Sequence, residues 1–163
     1  MIYVTVGTHE QPFDRLIECV DTLKEKGIIE EEVIIQSGFS KYEIKHCMHK
    51  SLFDKNDMLM NYEAARFIIM HGGPSSIIQS LQEGKVPVVV PRQKKFGEHV
   101  NDHQLDFCRA VSKRYNNIIM VEDISELKEA IIHYDELTAS RQKSCFGNNE
   151  KFIKAFEQIV EEL

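Results

Sequence analysis

Five short apolar runs punctuate the chain, at residues 2–6, 33–36, 67–70, 86–90 and 118–121. Most of their residues are β-branched, and turn residues or charges bound each run. Near-continuous hydrophobicity of this length is what a parallel strand covered on both faces requires. A sixth, weaker strand pattern spans 42–49. Helical spacing fills the intervals. Phe13, Leu16, Ile17, Val20 and Leu23 recur on one helical face, and Gly27 is placed to stop it. Further helices are predicted over 59–65, over 75–83 with Gly84 as the stop, and over 98–113. Ser125 is placed to cap another, running to Tyr134. A last helix over 149–162 would carry Phe152, Ile153, Phe156, Ile159 and Val160 on one face. This alternation predicts an α/β, Rossmann-like, doubly wound parallel sheet with helices on both faces. No linker, repeat or low-complexity segment interrupts it, so 1–163 reads as a single domain.

Ligands of such sheets bind beyond the carboxyl ends of the strands. Three loops there carry unusual residues. Gly7-Thr8-His9-Glu10-Gln11-Pro12 follows the first run, combining a glycine, a hydroxyl and an imidazole ahead of a helix start. His71-Gly72-Gly73-Pro74-Ser75-Ser76 follows the third. Its glycines let backbone approach a ligand, Pro74 suits a first helical turn, and the serines add hydroxyls beside free helix amides. That is anion-binding chemistry suited to a diphosphate, although each loop also reads as a tight structural turn. It matches neither GxxxxGK[ST] nor GxGxxG, which disfavours ATP hydrolysis and dinucleotide redox chemistry. The third segment, 91–104, gathers Arg92, Lys94, Lys95, Glu98, His99, Asn101, Asp102, His103 and Gln104. Such mixed donors and acceptors suit sugar hydroxyls; the plain alternative is a solvated loop and helix face.

Composition narrows the class. The length of 163 residues suits one domain with a proper core. Apolar residues at 42% and charged residues at 28% argue against disorder. A net charge of −6 with scattered Lys and Arg argues against a general nucleic-acid binder. Cys19, Cys47, Cys108 and Cys145 form no CxxC pair and no secretory signal precedes them, so a cytoplasmic setting with free thiols is expected. No apolar run approaches the ~20 residues of a membrane span. His99 and His103 stand four apart, a spacing that on a helix can hold zinc, with His71 or Cys108 as a remote third ligand. The order is EHxxxH, however, not HExxH, and the metal reading is the weaker one.

In this order the loops resemble the glycosyltransferase family 28 C-terminal-domain family. The matching stretches are Val4-Thr5-Val6-Gly7-Thr8-His9-Glu10-Gln11-Pro12-Phe13, His71-Gly72-Gly73-Pro74-Ser75-Ser76, and Pro91-Arg92 through Gln104. The chain looks most like the bacterial capsular and exopolysaccharide β-1,4-galactosyltransferase catalytic subunits. It is more distantly similar to the cytosolic subunit that adds the second GlcNAc to dolichol-diphosphate-GlcNAc, and to the C-terminal half of the peptidoglycan GlcNAc transferase.

The resemblance implies the donor-binding half of a GT-B fold and inverting transfer of a hexose, galactose by likeness, from a UDP-sugar to an undecaprenyl-diphosphate-linked saccharide. It implies His71, Gly72, Gly73, Ser75 and Ser76 around the diphosphate, Gly7 and Thr8 closing over it, and His103 and Gln104 on the donor sugar. Arg92, Glu98 and Gln79 complete the expected donor set. Gln79 stands where many GT-B enzymes place a ribose-binding Glu, so it would bond ribose without charge. His9 is the local candidate for general base. No cofactor and no essential metal are expected. A membrane-associated, acceptor-binding partner is expected, which would hold the chain at the inner face of the membrane, with 141–163 as a bridging helix. The alternative is a non-catalytic nucleotide-sugar-binding subunit assisting another transferase.

Overall fold

The computed structural model describes residues 1–141 together with Gln158 and Ile159. Within them, six parallel strands form one sheet in the order β3-β2-β1-β4-β5-β6. The strands are β1 (Ile2–Thr5), β2 (Val33–Gln36), β3 (Met48–Lys50), β4 (Phe67–Met70), β5 (Val88–Val89) and β6 (Ile119–Met120). The helices are α1 (Asp14–Glu25), α2 (Lys55–Ala64), α3 (Pro74–Gln82), α4 (His103–Tyr115), α5 (Leu127–Ile132) and α6 (Tyr134–Ala139).

Successive residues of a strand face opposite sides of the sheet, so each run of buried residues feeds two cores. Ile2, Val4, Phe67, Ile69 and Val88 pack with Leu16, Ile17 and Val20 of α1 and Leu127 and Ile131 of α5. Tyr3, Ile68, Met70 and Val89 pack with Tyr62 of α2, Ile77 and Leu81 of α3, and Phe107, Cys108 and Val111 of α4. The predicted architecture is therefore the observed one.

The departures have local causes. The strand expected over 42–49 narrows to exposed Met48–Lys50, because the preceding residues are drawn onto buried Asp21. Its carboxylate accepts the Lys45 and His46 amides and the Tyr42 hydroxyl. Helix α2 starts at Lys55, four residues before its expected start, because the Asp54 side chain caps the Asp57 amide at 2.9 Å. The helix expected from 98 starts only at His103, because Gly97 takes a left-handed conformation after a 3-10 turn at Lys94–Phe96. Asp123, not Ser125, provides the cap near 125, and that helix divides at His133 into α5 and α6. The helix expected over 149–162 lies outside the described residues apart from Gln158 and Ile159, as do Cys145 and most of the expected bridge; Ile159 packs in the second core.

One buried cation fastens the loops at the carboxyl edge of the sheet. Arg92 has no solvent exposure. Its guanidinium donates to the carbonyls of Val6 at 2.8 Å, Gln11 at 2.8 Å, Glu98 at 3.0 Å and Pro12 at 3.4 Å. The Phe13 ring lies beneath it at 4.8 Å. The loop after β1 is thereby tied to the segment after β5. Arg92→Met would leave these carbonyls without their charged donor, and we expect a loss of about 3 kcal/mol of unfolding free energy. Urea denaturation checks this; an unchanged midpoint would contradict the clasp.

Candidate functional site

β1 and β4 are neighbours in register, Thr5 opposite Met70. From β1 the chain proceeds to β2 on one side, and from β4 to β5 on the other. The gap between them is thus the topological switch point, where such sheets bind ligands. A cavity of about 260 Å³ opens there, lined by Thr5, Gly7 and Thr8 from the β1 end, His71, Gly73, Pro74, Ser75 and Ser76 from the β4 end, and Gln36, Met58 and Tyr62.

His71 is wedged between two glycines. A Cβ on Gly7 would approach its Nε2 to 2.6 Å, and one on Gly73 to 2.3 Å. Gly7 also has φ +74, a left-handed conformation that glycine adopts without strain. A Cβ on Gly72 would meet Cys108 Sγ at 2.7 Å. The glycines thus allow the loops and the imidazole to close together. His71 Nδ1 is buried. Burial first, then the charge of Arg92, push the imidazole pKa down to about 4. At neutral pH His71 is uncharged.

Helix α3 opens beside it. Gly73 is the N-cap, gives no side-chain cap, and Pro74 follows at the first position. The amides of the first turn therefore retain their positive end for a ligand. Ser76 contacts the Tyr62 hydroxyl, while Ser75 is exposed. Thr5 Oγ1 accepts from the Gly7 amide and from Gln36 Nε2, both at 3.2 Å, which fixes the cavity floor. No Lys or Arg lines this cavity. An anion here would meet amides, hydroxyls and a neutral imidazole.

The other expected site residues lie around the cavity. Gln104 Oε1 accepts the Gly72 and Arg92 amides at 3.1 and 3.2 Å, joining the β4 and β5 loops. Glu98 is buried, its carboxylate held by Arg15 at 2.7 and 2.9 Å and by the Gln93 amide at 3.0 Å. Arg92 and Glu98, expected to face a ligand, instead brace the loops. Gln79 donates to Glu83 at 3.2 Å, and His103 is exposed at the start of α4. His99 precedes that helix, so the shared helical face considered for zinc does not form. Among the described residues no group of three or more His, Cys, Asp or Glu converges on a metal position. His9, the candidate base, accepts the Gln11 amide at Nδ1, 3.1 Å away. Its neutral ring consequently carries its proton on Nε2 and has no free basic nitrogen.

The sequence reading missed Thr5, Gln36, Met58 and Tyr62. Only Gln36 carried a signal, as a polar residue closing an apolar strand at the ligand edge. A larger cleft of about 510 Å³ lies between Arg15, Lys95, Phe96 and the acidic residues Glu122, Asp123 and Glu126. Its carboxylates oppose a phosphate, and no glycine lines it. Among the described residues no helix is long and apolar enough to cross a membrane.

A parallel sheet with a glycine-walled cavity at its switch point defines a Rossmann-like α/β domain. More narrowly, the chain belongs to the glycosyltransferase family 28 C-terminal domain family, whose model matches residues 1–163. Its function is accordingly that of a glycosyltransferase's nucleotide-sugar-binding domain. No curated protein matches the chain.

Two outcomes follow from the His71 wedge. Gly73→Ala should displace the imidazole and weaken ligand binding at least tenfold while the sheet stays folded, as read by calorimetry with circular dichroism. The depressed His71 pKa also links stability to pH. In the unfolded chain this histidine titrates near 6.5, so unfolding takes up a proton below that value. Stability contributed by neutral His71 is complete above about pH 6.5 and falls by roughly 3 kcal/mol as pH drops to 4. Urea denaturation of wild type and His71→Gln across this range should show the wild type losing that much more; parallel losses would refute the linkage.

Proposed function

We infer that this chain binds a UDP-sugar in the cavity between β1 and β4 and is the donor-binding catalytic subunit of a two-chain inverting glycosyltransferase. The observation carrying this reading is the His71 wedge facing the uncapped start of α3, inside a domain of glycosyltransferase family 28. The diphosphate lies against the amides of Gly73, Ser75 and Ser76, with Gly7 and Thr8 on the opposite wall. The base and ribose extend toward Gln36, Met58 and Tyr62, with Gln79 available to the ribose hydroxyls. The donor sugar points toward His103 and the Nε2 amide of Gln104.

The donor sugar is galactose, on the likeness of the loops to capsular and exopolysaccharide galactosyltransferase subunits. The acceptor is an undecaprenyl-diphosphate-linked saccharide of a surface polysaccharide. The acceptor hydroxyl attacks the anomeric carbon, the bond to the UDP oxygen breaks, and the start of α3 stabilises charge gathering on the departing diphosphate. With His9 Nδ1 occupied, the base that takes the acceptor's proton comes from the acceptor-binding half.

Cavity size supports the second chain. At about 260 Å³ the cavity is smaller than the 300–1,000 Å³ of ordinary ligand pockets, as a cleft completed by a second chain would be. A membrane-associated acceptor-binding subunit supplies the other wall and holds the chain at the membrane. Calorimetric titration with UDP, UDP-galactose, UDP-GlcNAc and ATP tests the reading, first alone and then with that subunit. Uridine nucleotides should bind in preference to ATP, and UDP-galactose should be the donor consumed once acceptor is added. Equal affinity for ATP, or no uridine-nucleotide binding in either setting, would overturn it.

A further inference from the structure

Two imidazoles that do not line the cavity stand side by side next to it. The rings of His9 and His99 have centroids 4.7 Å apart and are inclined by 41°. They arrive from different loops. His9 follows Thr8, which lines the cavity; His99 lies between Gly97 and the start of α4.

Each ring is oriented by the same local device. The Gln11 amide donates to His9 Nδ1 at 3.1 Å, and the Asn101 amide donates to His99 Nδ1 at 3.4 Å. A backbone amide only donates, so Nδ1 is the unprotonated nitrogen of each ring. In the neutral state the remaining proton is on Nε2 in both. Neither Nε2 is hydrogen-bonded within the described residues, and neither is sealed from solvent. Two N–H donors thus sit on adjacent rings, each with its tautomer set by its own loop. Burial, His99 and then Arg92 disfavour protonation of His9, against a smaller opposing effect of Glu10.

We propose that His9 and His99 form a paired Nε2–H donor site for the phosphate oxygens of a nucleoside diphosphate, with His9 serving as a hydrogen-bond donor and not as a general base. The proposal rests on the donor-site reading above and deepens it. The cavity walls offer an anion amides and hydroxyls but no Lys or Arg. The two imidazole N–H groups beside the cavity would add hydrogen-bond donors that its wall lacks. Arg92, buried behind both loops, adds a favourable field while its own hydrogen bonds remain on backbone carbonyls.

Glutamine separates the two roles, because its side-chain amide supplies an N–H and no basic nitrogen. The test is calorimetric titration of the full chain with UDP, inorganic diphosphate and uridine, using His9→Ala, His9→Gln, His99→Ala and His99→Gln, each checked by circular dichroism. Each alanine variant should bind UDP and diphosphate about tenfold more weakly, as expected for a lost hydrogen bond to a charged group, with uridine unchanged. Each glutamine variant should recover to within about threefold of wild type. Where an alanine variant unfolds, leucine replaces it in the comparison with glutamine. Wild-type affinity in the alanine variants, or glutamine as weak as alanine, overturns the paired site while leaving the cavity reading intact. Wild type that binds neither UDP nor diphosphate, alone or together with the acceptor-binding subunit, overturns both.

Discussion

The site depends on one buried guanidinium. Arg92 is wholly enclosed, yet its hydrogen bonds go chiefly to carbonyls of the chain, from Val6 at the end of β1 to Glu98 beyond β5. Those carbonyls belong to loops with few backbone partners of their own, and a loop at a sheet edge needs such partners to hold one shape. The Glu98 carboxylate, held in turn by Arg15, balances the buried charge. Around this clasp the remaining features fall into place. Burial first and then the charge of Arg92 disfavour protonation of His71, and burial, His99 and Arg92 in that order disfavour it at His9. A neutral His71 can be enclosed between Gly7 and Gly73 without the desolvation cost of a charge.

The resulting cavity has no side-chain cation in its wall. Helix amides, serine hydroxyls and imidazole N–H groups are fixed dipoles, and they need little rearrangement when charge builds on a leaving group. A lysine would bind the diphosphate of donor and product alike. Preorganised dipoles act where charge increases during transfer. This joins the chemistry of the glycine loops to the membership of glycosyltransferase family 28.

Much of the fold was legible because a doubly covered parallel strand must be apolar on both faces. Residues 2–5, 33–36 and 67–70 could hardly be read otherwise. The edge strand was less legible, since exposed Met48–Lys50 has no core to declare itself against, and Asp21 claims the residues before it. At the site, spacing revealed the loops but not the direction of each side chain. Gly7, Thr8, His71, Gly73, Ser75 and Ser76 do line one cavity. Arg92 and Glu98 looked like ligand groups because a buried charge with internal partners is written with the same letters as an exposed one. Met58 and Tyr62 carried no motif; they reach the cavity only because α2 packs beside β1 and β4. The contact of the Gln11 amide with His9 Nδ1 is likewise one that no sequence pattern encodes.

The central claim, that the switch point between β1 and β4 is the donor site, is tested most directly by following backbone amide resonances as UDP is titrated into the labelled chain. The account predicts the largest shifts at Gly7, Thr8, Gly73, Ser75 and Ser76, with smaller ones at Gln36 and Met58. Shifts centred instead on Phe96 and Glu122–Glu126, with the His71 loop unmoved, would contradict it.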